Sequence, residues 1–529
     1  MKKADFMQKF KNLIKKDGIY LLISFILLAI TLLLITTTFY EGDYTLQLPT
    51  KTLFGTVSWI LTIGLGGVGI VFLRNIDRKQ IDFAKIYLML VIPLGILYCI
   101  VAPLGRVPDE DAHSRKAMAI SQGNFFSHAN ENGDATDFMN AKLNEVVTRS
   151  ADSYEEAIDR MITPETEDMV ELGYTTMALY APICHLPQAF GMFVTRLFGA
   201  TIPVQCYAAR LANLAVAIFF IYTAIKIIPF KKHLLLFLAL LPITLQEISS
   251  MAADALTIAM CMFYISYILY LKYDDNKKEI RTKEIAILTI CSIVVSLCKI
   301  VYLPLCLLLF ILPKEKFKTA RNKICSTAGI FAFSVIINLI WLVYCSRFLV
   351  VFNYGVNTPE QIKYVLTHPI SYLLILFRTN NIFFEMMIVG LCGESLGLFD
   401  VQASVLFIMP CILLFAMLIF VKDREEKVKI DLLTKFVCLF IFVAIALLIY
   451  TSLYVQWTSL ENPMIYGIQP RYFLPIILLT AIIFDNHKIV YTQTLSKRYM
   501  VLFMLFFNLQ MLTVLFFSYL NGFINYYVK

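Results

Sequence analysis

From residue 19 to residue 520 the chain is a succession of apolar runs separated by short polar loops. A run of about 18 or more apolar residues can cross a bilayer core as a helix. The pattern predicts spans near 19–39, 53–73, 84–104, 205–228, 233–250, 253–272, 284–298, 300–313, 325–349, 402–421, 434–454, 472–486 and 501–520. One stretch interrupts it. Residues 104–173 carry fifteen Asp and Glu against six Lys and Arg. The expected fold is an all-α polytopic membrane protein, a single membrane domain over 1–529 with about 13 transmembrane helices.

Composition agrees with the pattern. Hydrophobic residues make up 59% and charged residues only 16% of 529 positions, and the mean hydropathy is +0.72. A soluble chain could not cover that much apolar surface. The net charge of +8 comes from short loops between spans, so it reads as cytoplasmic retention of Lys and Arg and not as a nucleic-acid footprint. The expectation is contact with membrane lipids and none with nucleic acid. Twelve cysteines lie mostly within apolar runs without a CxxC pair, as small hydrophobes would.

Loop charge sets the expected topology. Lys2, Lys3, Lys9, Lys11, Lys15 and Lys16 hold the N-terminus in the cytoplasm, and the run after them reads as a retained anchor. The Arg74–Lys79, Lys226–Lys232, Lys272–Lys283, Lys314–Lys323 and Lys422–Lys429 loops also read as inside. Counting spans puts 104–203 outside as a long first loop, with further outer loops at 350–400 and 455–471 and the C-terminus outside. Two constraints follow. The 174–198 segment, with Pro182 and Pro187, must lie at the interface instead of crossing. The 284–313 segment must go up and come back, with its break at Lys299-Ile300-Val301-Tyr302-Leu303-Pro304.

Ionisable residues at such boundaries are costly, and that makes them candidates for function. The acidic loop opens Arg106-Val107-Pro108-Asp109-Glu110-Asp111-Ala112-His113-Ser114-Arg115. Partly desolvated carboxylates there suit general-base work. Asp109 and Asp111 form a D-x-D pair that could hold a divalent cation, magnesium or manganese, against a phosphate. The same run would also open a helix with acids on its dipole. Asp254 sits at an outer turn, where it is either a cap or a second acid facing Asp109. Lys299 and Arg471 could hold a phosphate, Arg through a bidentate fork, or could snorkel to headgroups. His185 either contacts substrate or is hydrogen-bonded structure. The chain shows no Walker loop, GxGxxG, HExxH or GxSxG.

At these residues the chain resembles the bacterial membrane family called domain of unknown function 2142, which is related to the C-type (GT-C fold) glycosyltransferases. The resemblance rests on Pro108-Asp109-Glu110 with His113, Ser121-Gln122-Gly123, Tyr180-Ala181-Pro182, Ala209-Arg210-Leu211-Ala212-Asn213, Asp254-Ala255-Leu256, Lys299, the segment from Gly393 to Asp400, and Gln469-Pro470-Arg471-Tyr472. It departs from the pattern in having two spans before the one that leads into the acidic loop. It also has Ala181-Pro182 where the relatives have Pro-Pro.

The resemblance implies a GT-C-like fold with two interfacial helices in the first outer loop. It implies a transferase that takes a sugar from a polyprenyl-phosphate carrier to a glycan, glycolipid or wall polymer at the outer face of a bacterial plasma membrane. Asp109, Glu110 and Asp254 would be catalytic. His113, Arg115, Tyr180, His185, Lys299, Arg471 and Tyr472 would bind substrate. The other expectation is a transporter or flippase of a lipid-linked glycan, which would use the same acidic cavity and broken helix as a binding site.

Overall fold

The computed structural model describes residues 82–150, 153–164, 168–173, 176–348, 353, 355–422, 426–460, 462–486, 489–490 and 497–520. The lysine-rich N-terminus and the spans expected at 19–39 and 53–73 lie outside the described residues.

The described chain is mostly helix. Six helices are long and apolar enough to cross a membrane: Phe83–Val101, Ile202–Ile227, Asp254–Tyr273, Ala320–Cys345, Pro369–Leu391 and Leu432–Gln456. The run expected at 501–520 lies in the helix Lys497–Leu520, and other apolar runs are shorter or broken. The run expected at 233–250 divides into helices Lys232–Ala239 and Pro242–Ile248. Pro242 lacks an amide hydrogen and pushes Leu241 out of the helical region, to φ −59° and ψ 138°. The run at 472–486 forms a 3-10 turn, Pro470–Phe473, and a short helix, Leu478–Ile483. The described residues thus show six helices long and apolar enough to cross, while two of the thirteen expected spans lie outside them.

Polar contacts sort the helix ends into two groups. At one end the basic loops gather. Lys272 pairs with Asp431 at 2.6 Å, and Lys231 donates to the carbonyls of Leu418, Ile419 and Val421. The Ile280 amide there reaches the Lys316 carbonyl at 2.7 Å. At the other end Arg210 caps the helix Phe83–Val101 through the carbonyls of Cys99 and Ala102, and Tyr344 donates to the Ser127 carbonyl. The acidic segment belongs to this second end. The break at Lys299 is present: helix Thr282–Cys298 rises from the basic end, and the 3-10 helix Ile300–Ile311 returns to it.

Two features of the second end differ from the expectation. The segment 350–400, expected as an outer loop, contains the helix Pro369–Leu391, itself long and apolar enough to cross a membrane. Arg378, Asn380, Asn381 and Glu385 dilute its apolar pattern. Its contacts fall at the acidic end: Tyr372 with Thr451 at 2.7 Å, and Gly390 so near Pro470 that a Cβ would sit 2.4 Å from the proline ring. The acidic segment also holds a three-stranded antiparallel sheet of His128–Ala129, Ala135–Asn140 and Met169–Gly173. Its hairpin turns on Asn130, whose side chain accepts from the Asn132 and Asp134 amides.

The helices of this loop include Glu110–Ser121, most of whose residues are buried, and Leu186–Leu197. The second exposes Leu186, Phe190, Phe193 and Leu197 on one face. Its other face packs on Ile202–Ile227 so closely that a Cβ on Gly191 would lie 2.4 Å from the Ala208 carbonyl oxygen.

Candidate functional site

The site forms where the start of Glu110–Ser121, the 180–185 turn, the end of Pro242–Ile248, Lys299 and the 469–472 turn meet. Its centre is Arg471, which is 2% exposed. One terminal nitrogen pairs with the Asp109 carboxylate. The other donates to the Pro108 carbonyl at 3.1 Å and lies 3.4 Å from Asp254 and 3.5 Å from Glu247. Its Nε donates to Gln469 at 2.6 Å. The Gln469-Pro470 turn thus aims one guanidinium at three carboxylates.

Asp109 precedes the first helical turn with φ 62° and ψ 4°, a left-handed conformation for a residue that is not glycine. Its side chain caps no amide. It projects instead between Arg471 and Arg149, whose Nη2 is 3.1 Å away. Burial works to raise the Asp109 carboxyl, but Arg471, His113 and Arg149 hold it well below the usual carboxylate range. Asp109 is ionised near neutrality.

Glu110 faces away from this group. Both of its oxygens meet Arg210, at 2.7 and 2.6 Å, and accept the amides of Met251 and Gly105 at 3.0 and 2.8 Å. Arg210 also binds the Pro103 carbonyl at 2.9 Å. Both side chains are fully buried. The geometry gives Glu110 the position of an anchor for the acid helix.

Lys299 lies 2.5 Å from Asp254, with its ammonium 4.9 Å from the Tyr472 ring centre and 5.8 Å from that of Tyr180. His113 stands one turn past Asp109, edge-on to Tyr180 at 5.0 Å, and its Nδ1 is 2.8 Å from His185 Nε2. Burial pushes His113 down to about 4, against the pull of Asp109 and Asp254, so it is neutral near pH 7. Burial also lowers His185, with help from His113 and Lys116.

The expected residues Asp109, Asp254, His113, Tyr180, His185, Lys299, Arg471 and Tyr472 therefore converge. Arg115 does not join them; it turns to the Gly173 carbonyl at 3.1 Å. Asp111 stays at the rim on Arg149, 2.9 Å away. Arg149 bridges both acids of the D-x-D pair, and among the described residues no three His, Cys, Asp or Glu side chains are arranged to hold a metal ion. The pair does not fit a cation site as it stands. The sequence reading missed Glu247, although a carboxylate inside an apolar run was a visible signal. It also missed Arg149, which only the folded loop brings in.

The family described as "Predicted membrane protein (DUF2142)" matches residues 92–480. The chain belongs to that family. The DUF2142 match spans Asp109, Asp254, Lys299 and Arg471, so the whole cluster lies inside it. No curated protein and no solved structure matches the chain.

Proposed function

We propose that this DUF2142 protein is a glycosyltransferase of GT-C type, working at the outer face of a bacterial plasma membrane. It takes a sugar from a polyprenyl-phosphate carrier to a cell-envelope glycan, glycolipid or wall polymer. The observation that carries this reading is the convergence of Asp109 and Asp254 on Arg471, with Lys299 beside them. Carboxylates able to take a proton lie next to cations able to hold a phosphate, at the end of the bundle opposite the basic loops. If those loops are cytoplasmic, as their charge favours, the site faces outward. The short and broken helices would then complete further crossings, and the exposed apolar face of Leu186–Leu197 would rest in the lipid interface.

In this reading Arg471 and Lys299 bind the donor phosphate. Arg471 shifts its charge from Asp109 to the incoming anion, and Asp109 becomes more basic. Asp109 takes the hydroxyl proton of the acceptor as the acceptor oxygen bonds the anomeric carbon. The carbon–oxygen bond to phosphate breaks, and both electrons leave with the phosphate, stabilised by the same two cations. Asp254 holds Lys299 and orients the acceptor. His113, neutral and backed by His185, accepts a hydrogen bond from it, and Tyr180 and Tyr472 wall the sugar. Glu110 positions the helix. No step is routed through a metal.

The test replaces Asp109 with Asn in the producing cell and compares surface glycans and carrier lipids with the parent. Loss of one sugar substituent, with the polymer still at the surface and the charged carrier accumulating, supports transfer. Loss of the whole polymer from the surface points to transport instead. An unchanged glycan profile removes the cluster from the reaction.

A further inference from the structure

Glu247 is the one carboxylate of the cluster to which no role has been given. It is 1% exposed, and its Oε2 makes no hydrogen bond. The nearest cationic atom is Arg471 Nη1 at 3.5 Å, beyond good hydrogen-bond length. That nitrogen already serves the Pro108 carbonyl and stands 3.4 Å from Asp254. Lys299 is committed to Asp254.

The charged groups around Glu247 are thus Asp109 at the start of the acid helix, Asp254 at the start of Asp254–Tyr273, Lys299 at the break and Arg471 on its turn. The other charged side chains on neighbouring elements are closed on partners of their own: Glu110 with Arg210, and Arg106 with Asp400. Tyr98 on Phe83–Val101 donates to Asn508. Three carboxylates share one guanidinium. A buried carboxylate lacking a hydrogen bond sheds its charge by binding a proton, and neighbouring acids favour that outcome.

We propose that Glu247 carries a proton in the resting site and yields its place beside Arg471 to the singly charged phosphate of a lipid-borne ligand. The anion then replaces a neutral group and is not repelled by a third carboxylate. This rests on the donor-phosphate role given above to Arg471 and Lys299, and it adds that ligand capture requires Glu247 to be neutral.

The experiment measures binding of a synthetic farnesyl methyl phosphodiester, whose charge does not change over the working pH range, to the purified full-length protein. Wild-type affinity should fall about tenfold per pH unit once Glu247 ionises, and Glu247→Gln should bind with a flat profile. Matching profiles in the two proteins overturn the proposal, as does loss of binding by a folded Glu247→Gln at every pH. Should that variant not fold, calorimetry of the wild type in two buffers of different ionisation heat replaces it. About one proton taken up per probe at alkaline pH supports the proposal, and none overturns it. Absence of probe binding in the wild type rejects both this role and the phosphate role of Arg471. A pH-linked site in cells whose Asp109→Asn glycans are unchanged would instead reject sugar transfer alone.

Discussion

Arg471 and Asp109 are 362 positions apart in sequence, yet the guanidinium holds both the Asp109 carboxylate and the carbonyl just before it. Two donors on adjacent acceptors fix the backbone as well as the side chain of the proposed base. Lysine has a single point charge and cannot reproduce that fork. Arg471→Lys should therefore lose both binding of phosphate lipids and transfer, and lower thermal stability measured in detergent. A variant with wild-type binding and melting would remove Arg471 from the centre of the site.

Asp109 and Asp111 share Arg149, but only Asp109 reaches Arg471. Asp109→Asn should reduce transfer by about 10² to 10⁴, the usual worth of a general base. Asp111→Asn should change it severalfold at most. Equal losses in a side-by-side assay would mean that the acids act as a pair.

Glu110 and Arg210 form a fully buried pair. Removing one partner strands the other, at a cost of about 3 to 5 kcal/mol. Arg210→Met should unfold far earlier in a thermal ramp than the wild type. The double variant Glu110→Gln, Arg210→Met should recover part of that loss, because neither charge is left alone. A double variant worse than the sum of the singles would contradict the pairing.

His113 is lowered from 6.5 to about 4 by burial. Between those values the unfolded chain binds a proton that the folded chain refuses, so stability rises with pH across the window and is lost as pH falls through it. The effect is about 3 kcal/mol at most, from about 1.4 kcal/mol per pKa unit. His113→Gln should flatten the melting temperature between pH 4 and 6.5. An unchanged slope would place the acid sensitivity elsewhere.

Gly191 sets the contact between the amphipathic Leu186–Leu197 helix and its neighbour. Gly191→Val would drive a branched side chain into the Ala208 carbonyl, so yield and melting temperature should both drop. Gly199→Ala makes a control free of crowding, since nothing lies within 4 Å of its added carbon, though its φ of +70° adds some strain.

The features readable in the sequence were those carried by local pattern. Apolar runs located every long helix from Phe83 onward except Pro369–Leu391, and loop charge required the hairpin that breaks at Lys299. Within 174–198 the structure has the twelve-residue helix Leu186–Leu197. Pairings across the chain were not readable. Nothing near Glu110 announces Arg210, one hundred positions away, so the sequence alone presents an acid beside the proposed base as a second catalyst. The polar residues in the middle of Pro369–Leu391 hide it, and the two-residue strand His128–Ala129 leaves no alternation that would announce the hairpin at Asn130.

The anchoring of Glu110 has a consequence for access. Its oxygens tie the start of the acid helix to Arg210, to the Gly105 amide and to Met251 at the far side of the cluster. That end of the helix cannot serve as a hinge without breaking a buried ion pair. Any opening that admits a long-tailed ligand has to come from the elements opposite, with Asp109 carried on the stationary jaw.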